Sequence, residues 1–357
     1  MPRLGTTLAK LLKQRRAAGF AGMPMQSAAP NLLNDLADFG SNPGALRARV
    51  HVPAGLHPGA PLVVVLHGCT QTADGYAYGS GWTDLADQHG FALLFPEQQR
   101  ANNLNLCFNW FTSTDNRREG GEVLSIRQMI GTMIDRHGCD AQRVFITGLS
   151  AGGAMASIML ATSPELFRGG AIIAGLPYGN AVSVGDALAR MRGEGHPENI
   201  ALADLVREAS DHQGPWPTIA VWHGTADTVV DPSNAERIIA QWQGVHGVGS
   251  SVPERSLIDG GRRRIWRNVA GKVVIEAWQI DAMGHGTPLR TGGAGEVGVS
   301  GPYMLDVGVS STRHIAASWG LAPMPAAAAP VRPGSRAAPP TTASIIENAL
   351  RATGIRP

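Results

Sequence analysis

The stretch Gly148-Leu149-Ser150-Ala151-Gly152-Gly153 constrains this chain more than any other. Before it runs Arg143-Val144-Phe145-Ile146-Thr147, apolar and β-branched, which reads as a buried strand. After it, Met155 to Phe167 reads as a helix. A serine set between glycines at a strand-to-helix junction is a nucleophile elbow. The tight turn projects the hydroxyl above a sheet. The flanking glycines let the backbone bend and leave room for a substrate. Alone, a glycine-flanked serine is only a turn; the strand before it and the helix after it give this one its meaning.

The rest of the chain repeats that alternation. Strands are predicted near 46–52, 61–66, 91–95, 143–147, 170–174, 217–222 and 273–280. Helices are predicted near 80–89, 122–137, 151–167, 199–211, 233–243 and 311–319. Such order argues for an α/β fold, a mostly parallel sheet with helices on both faces. In the second helix Val123, Ile126, Ile130 and Ile134 recur at helical spacing. Residues 176–216 are longer than a plain connection, and read either as a lid insertion over a site or as a crossover with an extra helix.

A serine nucleophile needs a base and an acid, and in this topology they follow in the order Ser, acid, His. Asp227 lies just past the apolar run Pro217 to Trp222, in His223-Gly224-Thr225-Ala226-Asp227. Open α/β sheets hold their working residues at that carboxyl end. His285 lies in Met283-Gly284-His285-Gly286, past the strand Val273 to Ile280. It is placed to take the Ser150 proton, with Asp227 holding its tautomer. Asp231 competes for the acid role, but Pro232 follows it and Asp231-Pro232-Ser233-Asn234 reads as a helix entry. His67 and His223, each before a glycine at a strand end, read as structural histidines bonded to backbone, and His314 as a packing or surface residue.

The oxyanion requires two donors. One is the backbone N–H of Ala151, next after the nucleophile. The second is the N–H of Cys69, in the loop His67-Gly68-Cys69-Thr70-Gln71 after the continuous apolar run Pro61 to Leu66.

Composition excludes several alternatives. With 43 % hydrophobic and 16 % charged residues in 357, the chain is globular rather than disordered. A net charge of +2 gives no electrostatic case for a nucleic-acid partner. No apolar run is long enough to span a bilayer.

Both ends read as additions to one catalytic domain at 45–321. Residues 1–44 form an N-terminal extension. In 1–20, Leu4, Leu8, Leu11 and Leu12 with Arg3, Lys10, Lys13, Arg15 and Arg16 make a basic amphipathic segment. It is suited to weak association with a lipid surface or polyester granule, or to docking on its own domain. It is a poor secretory signal, since charges interrupt it and no apolar core follows. Residues 322–342 are an Ala/Pro-rich linker, and Ser344-Ile345-Ile346-Glu347 is a capping box for a short helix or a tail.

Three segments in order, His67 to Gln71, Cys107-Phe108-Asn109-Trp110-Phe111 and Gly148 to Met155, closely resemble the poly(3-hydroxybutyrate) depolymerase family of esterases. Relatives in that family act on feruloyl and acetyl esters of plant polysaccharides. The segments around Asp227 and His285 fit its acid and histidine positions, and the resemblance covers about residues 45–321. It implies an α/β-hydrolase fold and a serine esterase with Ser150, Asp227 and His285 as triad. It implies neither metal nor organic cofactor, and an ester or polyester substrate. Gln71, Trp110 and Phe111 become candidates to contact substrate. One departure stands out: many members acting on polymer place a tryptophan soon after the histidine, whereas here Gly286-Thr287-Pro288-Leu289 follows.

The resemblance also puts cysteines at Cys69 and Cys107, both in loops at the carboxyl edge of the predicted sheet. A bridge between them is expected, leaving Cys139 as a buried thiol. Such a bridge, with the family, leans towards an extracytoplasmic location; three reduced cysteines in a cytosolic enzyme is the alternative. The expected activity is hydrolysis of short-chain hydroxyalkanoate esters, oligomers or amorphous polyester. Feruloyl or acetyl polysaccharide esters, and acyl transfer to an alcohol on the same scaffold, are the alternatives.

Overall fold

The computed structural model describes residues 30–325 except 197, 198 and 294, and only the backbone of 199–201. The amphipathic segment at 1–20, most of the linker and the C-terminal capping box lie outside the described residues.

Among the described residues twelve strands are formed in chain order: β1 Asn34–Asp35, β2 Arg47–His51, β3 Leu62–Leu66, β4 Ala92–Glu97, β5 Val144–Leu149, β6 Gly169–Ile173, β7 Thr218–Gly224, β8 Glu254–Ile258, β9 Gly261–Arg267, β10 Val273–Ile280, β11 Thr287–Leu289 and β12 Met304–Asp306. Eight α-helices accompany them among the described residues: α1 Ala73–Ser80, α2 Trp82–His89, α3 Gly121–His137, α4 Ala151–Thr162, α5 Val184–Met191, α6 Asn199–Arg207, α7 Ser233–His246 and α8 Ser311–Ser318.

The first ten strands make one sheet in the order β1-β2-β4-β3-β5-β6-β7-β10-β9-β8. Its centre, from β4 through β10, is parallel, while β1 and β2 at one edge and β9 and β8 at the other are antiparallel. This is the α/β-hydrolase arrangement. The sheet begins at Asn34, ahead of the expected domain start at 45, because β1 pairs with β2 and buries Leu33 and Leu36.

Strand β3, Leu-Val-Val-Val-Leu, is wholly buried and shows how the two layers arise. Side chains alternate across a strand. Leu62, Val64 and Leu66 join the core with α3, α4 and α7, whereas Val63 and Val65 join the core with α1, α2 and α8. A strand apolar on both faces must be covered on both, so only a central position suits it.

The expected helix at 80–89 forms as α2, and an unexpected helix, α1, runs up to it. Gly81 separates the two at φ 72°, where a Cβ would lie 2.3 Å from the Gly298 nitrogen. Only glycine accepts that conformation and that approach. The expected helix at 151–167 stops at Thr162, and Pro164 opens a 3₁₀ turn, since proline cannot donate to the helical ladder. Residues 176–216 carry α5 and α6 and pack as a crossover in the helical layer. Buried Gln241 on α7 donates to the carbonyls of Tyr178 and Leu202, and its Oε1 accepts the Tyr178 N–H. No helix among the described residues is long and apolar enough to cross a membrane.

Candidate active site

Ser150 sits between β5 and α4 with φ 57° and ψ −117°. A non-glycine residue there is strained, and the surroundings must hold it. Its N–H donates to Ile173 on β6 at 2.9 Å, and its carbonyl accepts the Ala154 N–H at 2.8 Å, starting α4. The flanking glycines are needed for space. A Cβ on Gly148 would meet the Gly152 carbonyl at 2.3 Å, and one on Gly152 would meet the Leu66 and His67 carbonyls at 2.4 and 2.5 Å. The elbow is therefore pressed against the end of β3, where the loop carrying Cys69 begins.

Asp227 follows β7 and His285 follows β10. Hydrogen bonds from Thr225 N–H to the Ile280 carbonyl (3.0 Å) and from Ala226 N–H to the Met283 carbonyl (2.9 Å) lock these two loops together. His285 Nδ1 meets Asp227 Oδ2 at 2.7 Å, and the Asp227 side chain has no solvent exposure. Oδ1 accepts the N–H groups of Val229 and Val230 at 2.9 Å each. Burial works against ionisation of Asp227. The hydrogen bonds from His223 and His285, the positive charge His285 can carry and the Val230 N–H outweigh it, holding the carboxyl well below the usual carboxylate range. The chemistry available is that of an ionised acid orienting an imidazole. Asp231 instead accepts the Ser233 N–H at 2.9 Å, at the entry to α7.

His285 Nε2 and the Ser150 hydroxyl each lack a hydrogen-bond partner among the described residues. The same holds for the N–H groups of Ala151 and Cys69. The histidine loop is pinned from behind. Thr287 Oγ1 bonds the Tyr76 hydroxyl at 3.0 Å, its N–H donates to Tyr303 at 2.8 Å, and the Tyr303 ring meets the His285 ring edge-on at 6.0 Å. Where a tryptophan was noted as missing, the chain enters β11, which pairs with β12. A Cβ on Gly286 would lie 2.7 Å from the Tyr303 carbonyl.

The loop Gly68 to Gln71 is braced in three ways. Gln71, 3 % exposed, accepts the Gly68 N–H at 2.8 Å, while its own side-chain amide nitrogen stays buried without a partner. The Thr70 N–H donates to Asn105 at 2.7 Å. Cys69 and Cys107 form a disulfide, and Cys139 is a buried thiol that burial pushes up to about 11. Thiol counting in denaturant without reductant is expected to find one reactive group; three would contradict the bridge. With its ends 38 positions apart in sequence, the bridge stabilises the fold by about 4 kcal/mol on the chain-entropy account, so Cys107→Ser should lower the unfolding free energy by that order.

Sequence reasoning missed the carboxylate beneath this loop. Glu122, fully buried in the first turn of α3, accepts Gln98 Nε2 at 2.6 Å, Asn109 Nδ2 at 2.8 Å and the Asn109 N–H at 2.8 Å. Gln98 in turn donates its N–H to His67 Nε2 at 3.1 Å and its amide to the Cys107 carbonyl at 3.0 Å. Burial pushes the Glu122 carboxyl up to about 8, against the N–H donors aimed at it. Glu122 lies four residues before Ile126, in register with the apolar stripe; an acid in that position was the available signal.

His67 Nδ1 donates to the Gly68 carbonyl at 2.8 Å, as expected of a structural histidine. His314 is a buried packing residue under Trp278, 3.2 Å from Asp259. Trp110, 7 % exposed, packs into the core under α3 and α4, leaving Phe111, edge-on to it at 5.4 Å, as the more open ring. A cavity of about 450 Å³ opens elsewhere, among Arg168, Thr218, Lys272 and Trp319. These residues begin β6, β7 and β10 or end α8, so it lies at the amino edge of the sheet, away from Ser150.

Residues 48–260 match the sequence profile of the family described as esterase PHB depolymerase. The chain belongs to that family. As a PHB depolymerase-type esterase it is a carboxylic-ester hydrolase. It is 40 % identical over 301 residues to poly(3-hydroxyalkanoate) depolymerase C of Paucimonas lemoignei, covering 84 % of this chain and 72 % of that one. It is 33 % identical over 230 residues to acetylxylan esterase A of Aspergillus oryzae, covering 62 % and 74 %. The solved structure of an acetyl xylan esterase from Aspergillus awamori superposes with a TM-score of 0.68 at 24 % identity, covering 81 % of this chain and 99 % of that one, a likeness of fold.

Proposed function

We propose that this esterase works through an acyl-enzyme on Ser150, with His285 as base and Asp227 as its orienting acid. The observation that carries the reading is the 2.7 Å contact between His285 Nδ1 and the buried Asp227 carboxylate, in loops at the same carboxyl end of the parallel sheet as a strained serine elbow. With Nδ1 bound to the acid, Nε2 is the nitrogen left for the serine proton. Ser150 Oγ attacks the ester carbonyl as its proton passes to His285. The tetrahedral oxyanion is held by the N–H groups of Ala151 and Cys69. His285 then protonates the leaving alcohol, and water, activated the same way, releases the acid and restores Ser150.

For substrate we infer short-chain hydroxyalkanoate esters, their oligomers and amorphous polyester. The extent of similarity to the Paucimonas lemoignei depolymerase, over most of this chain, supports that class first. The similarity to the Aspergillus oryzae acetylxylan esterase supports acetyl esters of polysaccharide second. A hydrolysis panel should decide between them: hydroxybutyrate oligomers, acetylated xylan and feruloyl sugar esters, each with and without an added alcohol acceptor. Highest kcat/KM on the oligomers, with free acid as product, is expected. Preference for acetyl or feruloyl esters would shift the substrate class, and dominant transfer to the alcohol would make the chain an acyltransferase.

A further inference from the structure

Two imidazoles, not one, converge on the acid. Asp227 Oδ2 faces His285 Nδ1 at 2.7 Å and His223 Nε2 at 3.2 Å. His223 lies on β7, 3 % exposed, four residues before the acid. Its Nε2 also lies 2.9 Å from the Val230 carbonyl. A carbonyl only accepts, so Nε2 carries the hydrogen and shares it between Val230 and Asp227. The other ring nitrogen, Nδ1, is buried without a partner. Packing alone does not account for that arrangement, because an apolar ring of similar shape would fill the space and leave no orphaned nitrogen. What the imidazole adds is the N–H aimed at Oδ2.

We infer that His223 is a positioning residue for the reaction: its Nε2–H holds the Asp227 carboxylate so that Oδ2 faces His285. The inference rests on the reading of Asp227 as the acid of the Ser150 site. Oδ1 is held independently by the Val229 and Val230 amides, so His223 acts on the oxygen that His285 uses. Among the described residues, the side chains placed against the pair are His223 from β7 and the Tyr303 ring from the segment before β12. Of these, the His223 N–H is the one aimed at the acid, and its positive end opposes a second positive charge on His285. Removing it leaves the site more negative, which favours the protonated, inactive imidazole to higher pH.

His223→Phe removes the donor and keeps a ring; His223→Gln keeps an N–H at about the same reach. On a soluble ester, the Phe variant is expected to lose kcat by about 10²-fold or less with KM nearly unchanged. The acid limb of its kcat/KM profile should move up by about half a pH unit. The Gln variant should recover most of both. His223→Asn, whose amide falls short of the acid, replaces the Phe variant should that one fail to fold, and should show the same loss and the same shift. An unmoved acid limb, or a Gln variant no better than Phe or Asn, would overturn the inference and leave His223 a structural residue. Ser150→Ala is assayed beside them. If it stays active, the triad reading has failed; if it is inactive while His223→Phe is unaffected, only the present inference has.

Discussion

Ser150→Ala is expected to remove essentially all ester hydrolysis, lowering kcat by about 10⁴- to 10⁶-fold. In the proposed mechanism the serine supplies the bond that forms in the first step, and nothing else at the elbow replaces it. Ala151 and Gly152 follow in the backbone, and Gly148 precedes the turn. The substitution removes one oxygen from a side chain that makes no hydrogen bond among the described residues, so the fold should be unaffected. Any stability change should be small, as thermal unfolding of the same samples would show. A variant retaining more than a few per cent of wild-type turnover would contradict the assignment.

The second large effect concerns the acid and the base. His285→Ala should cost nearly as much as loss of the serine, since the base takes and returns the proton in both halves of the reaction. Asp227→Asn should cost less than His285→Ala but still orders of magnitude. Its amide nitrogen would face the N–H groups that now meet the carboxylate, or would turn the imidazole to the wrong tautomer. Asp231→Asn is the control: its carboxylate opens α7 through Ser233 and should leave kcat nearly intact. If Asp231→Asn proves the more damaging of the two, the acid has been assigned to the wrong residue. Because the Asp227 carboxyl is held below the usual range, its contribution to stability is present above its ordinary value of 3.8 and is lost as pH falls further, through the folded-state value.

How much of this was legible in the sequence depends on whether the signal was local. The central strands announced themselves because Leu62 to Leu66 and Val144 to Leu149 are apolar on both faces, a pattern that suits the middle of a parallel sheet. The elbow was legible because its glycines are required by contacts within a few residues of the serine and at the end of the next strand. The β8–β9 hairpin was not read, because its arginines interrupt any apolar alternation. It sits at the sheet edge, where Arg263, Arg264 and Arg267 pair with Glu276, Glu236 and Glu254. Helix α1 was missed for a similar reason. Gly75 and Gly79 weaken its helical signal, and their smallness is explained only by packing, as where a Cβ on Gly79 would strike Met304.

At the candidate site, the residues proposed to act were legible and their support was not. Asp227 and His285 could be placed because each follows an apolar strand at a glycine-marked turn. His223 looked like a histidine bonded to nearby backbone, and it is, through Val230; its approach to Asp227 comes from the turn folding back on its own strand. Glu122 is 53 residues in sequence from Cys69 and reaches that loop only through Gln98, Asn109 and the disulfide partner Cys107. Such a chain of hydrogen bonds has no sequence period to reveal it.

The central claim, an acyl-enzyme on Ser150, is tested most directly by locating the adduct of a fluorophosphonate probe. After labelling and digestion, mass spectrometry of the peptides is expected to find one adduct, on the peptide spanning Ser150, absent from the Ser150→Ala variant and appearing in step with loss of activity. An adduct on any other residue that tracks inactivation, or an enzyme that keeps full turnover with Ser150 modified, would contradict it.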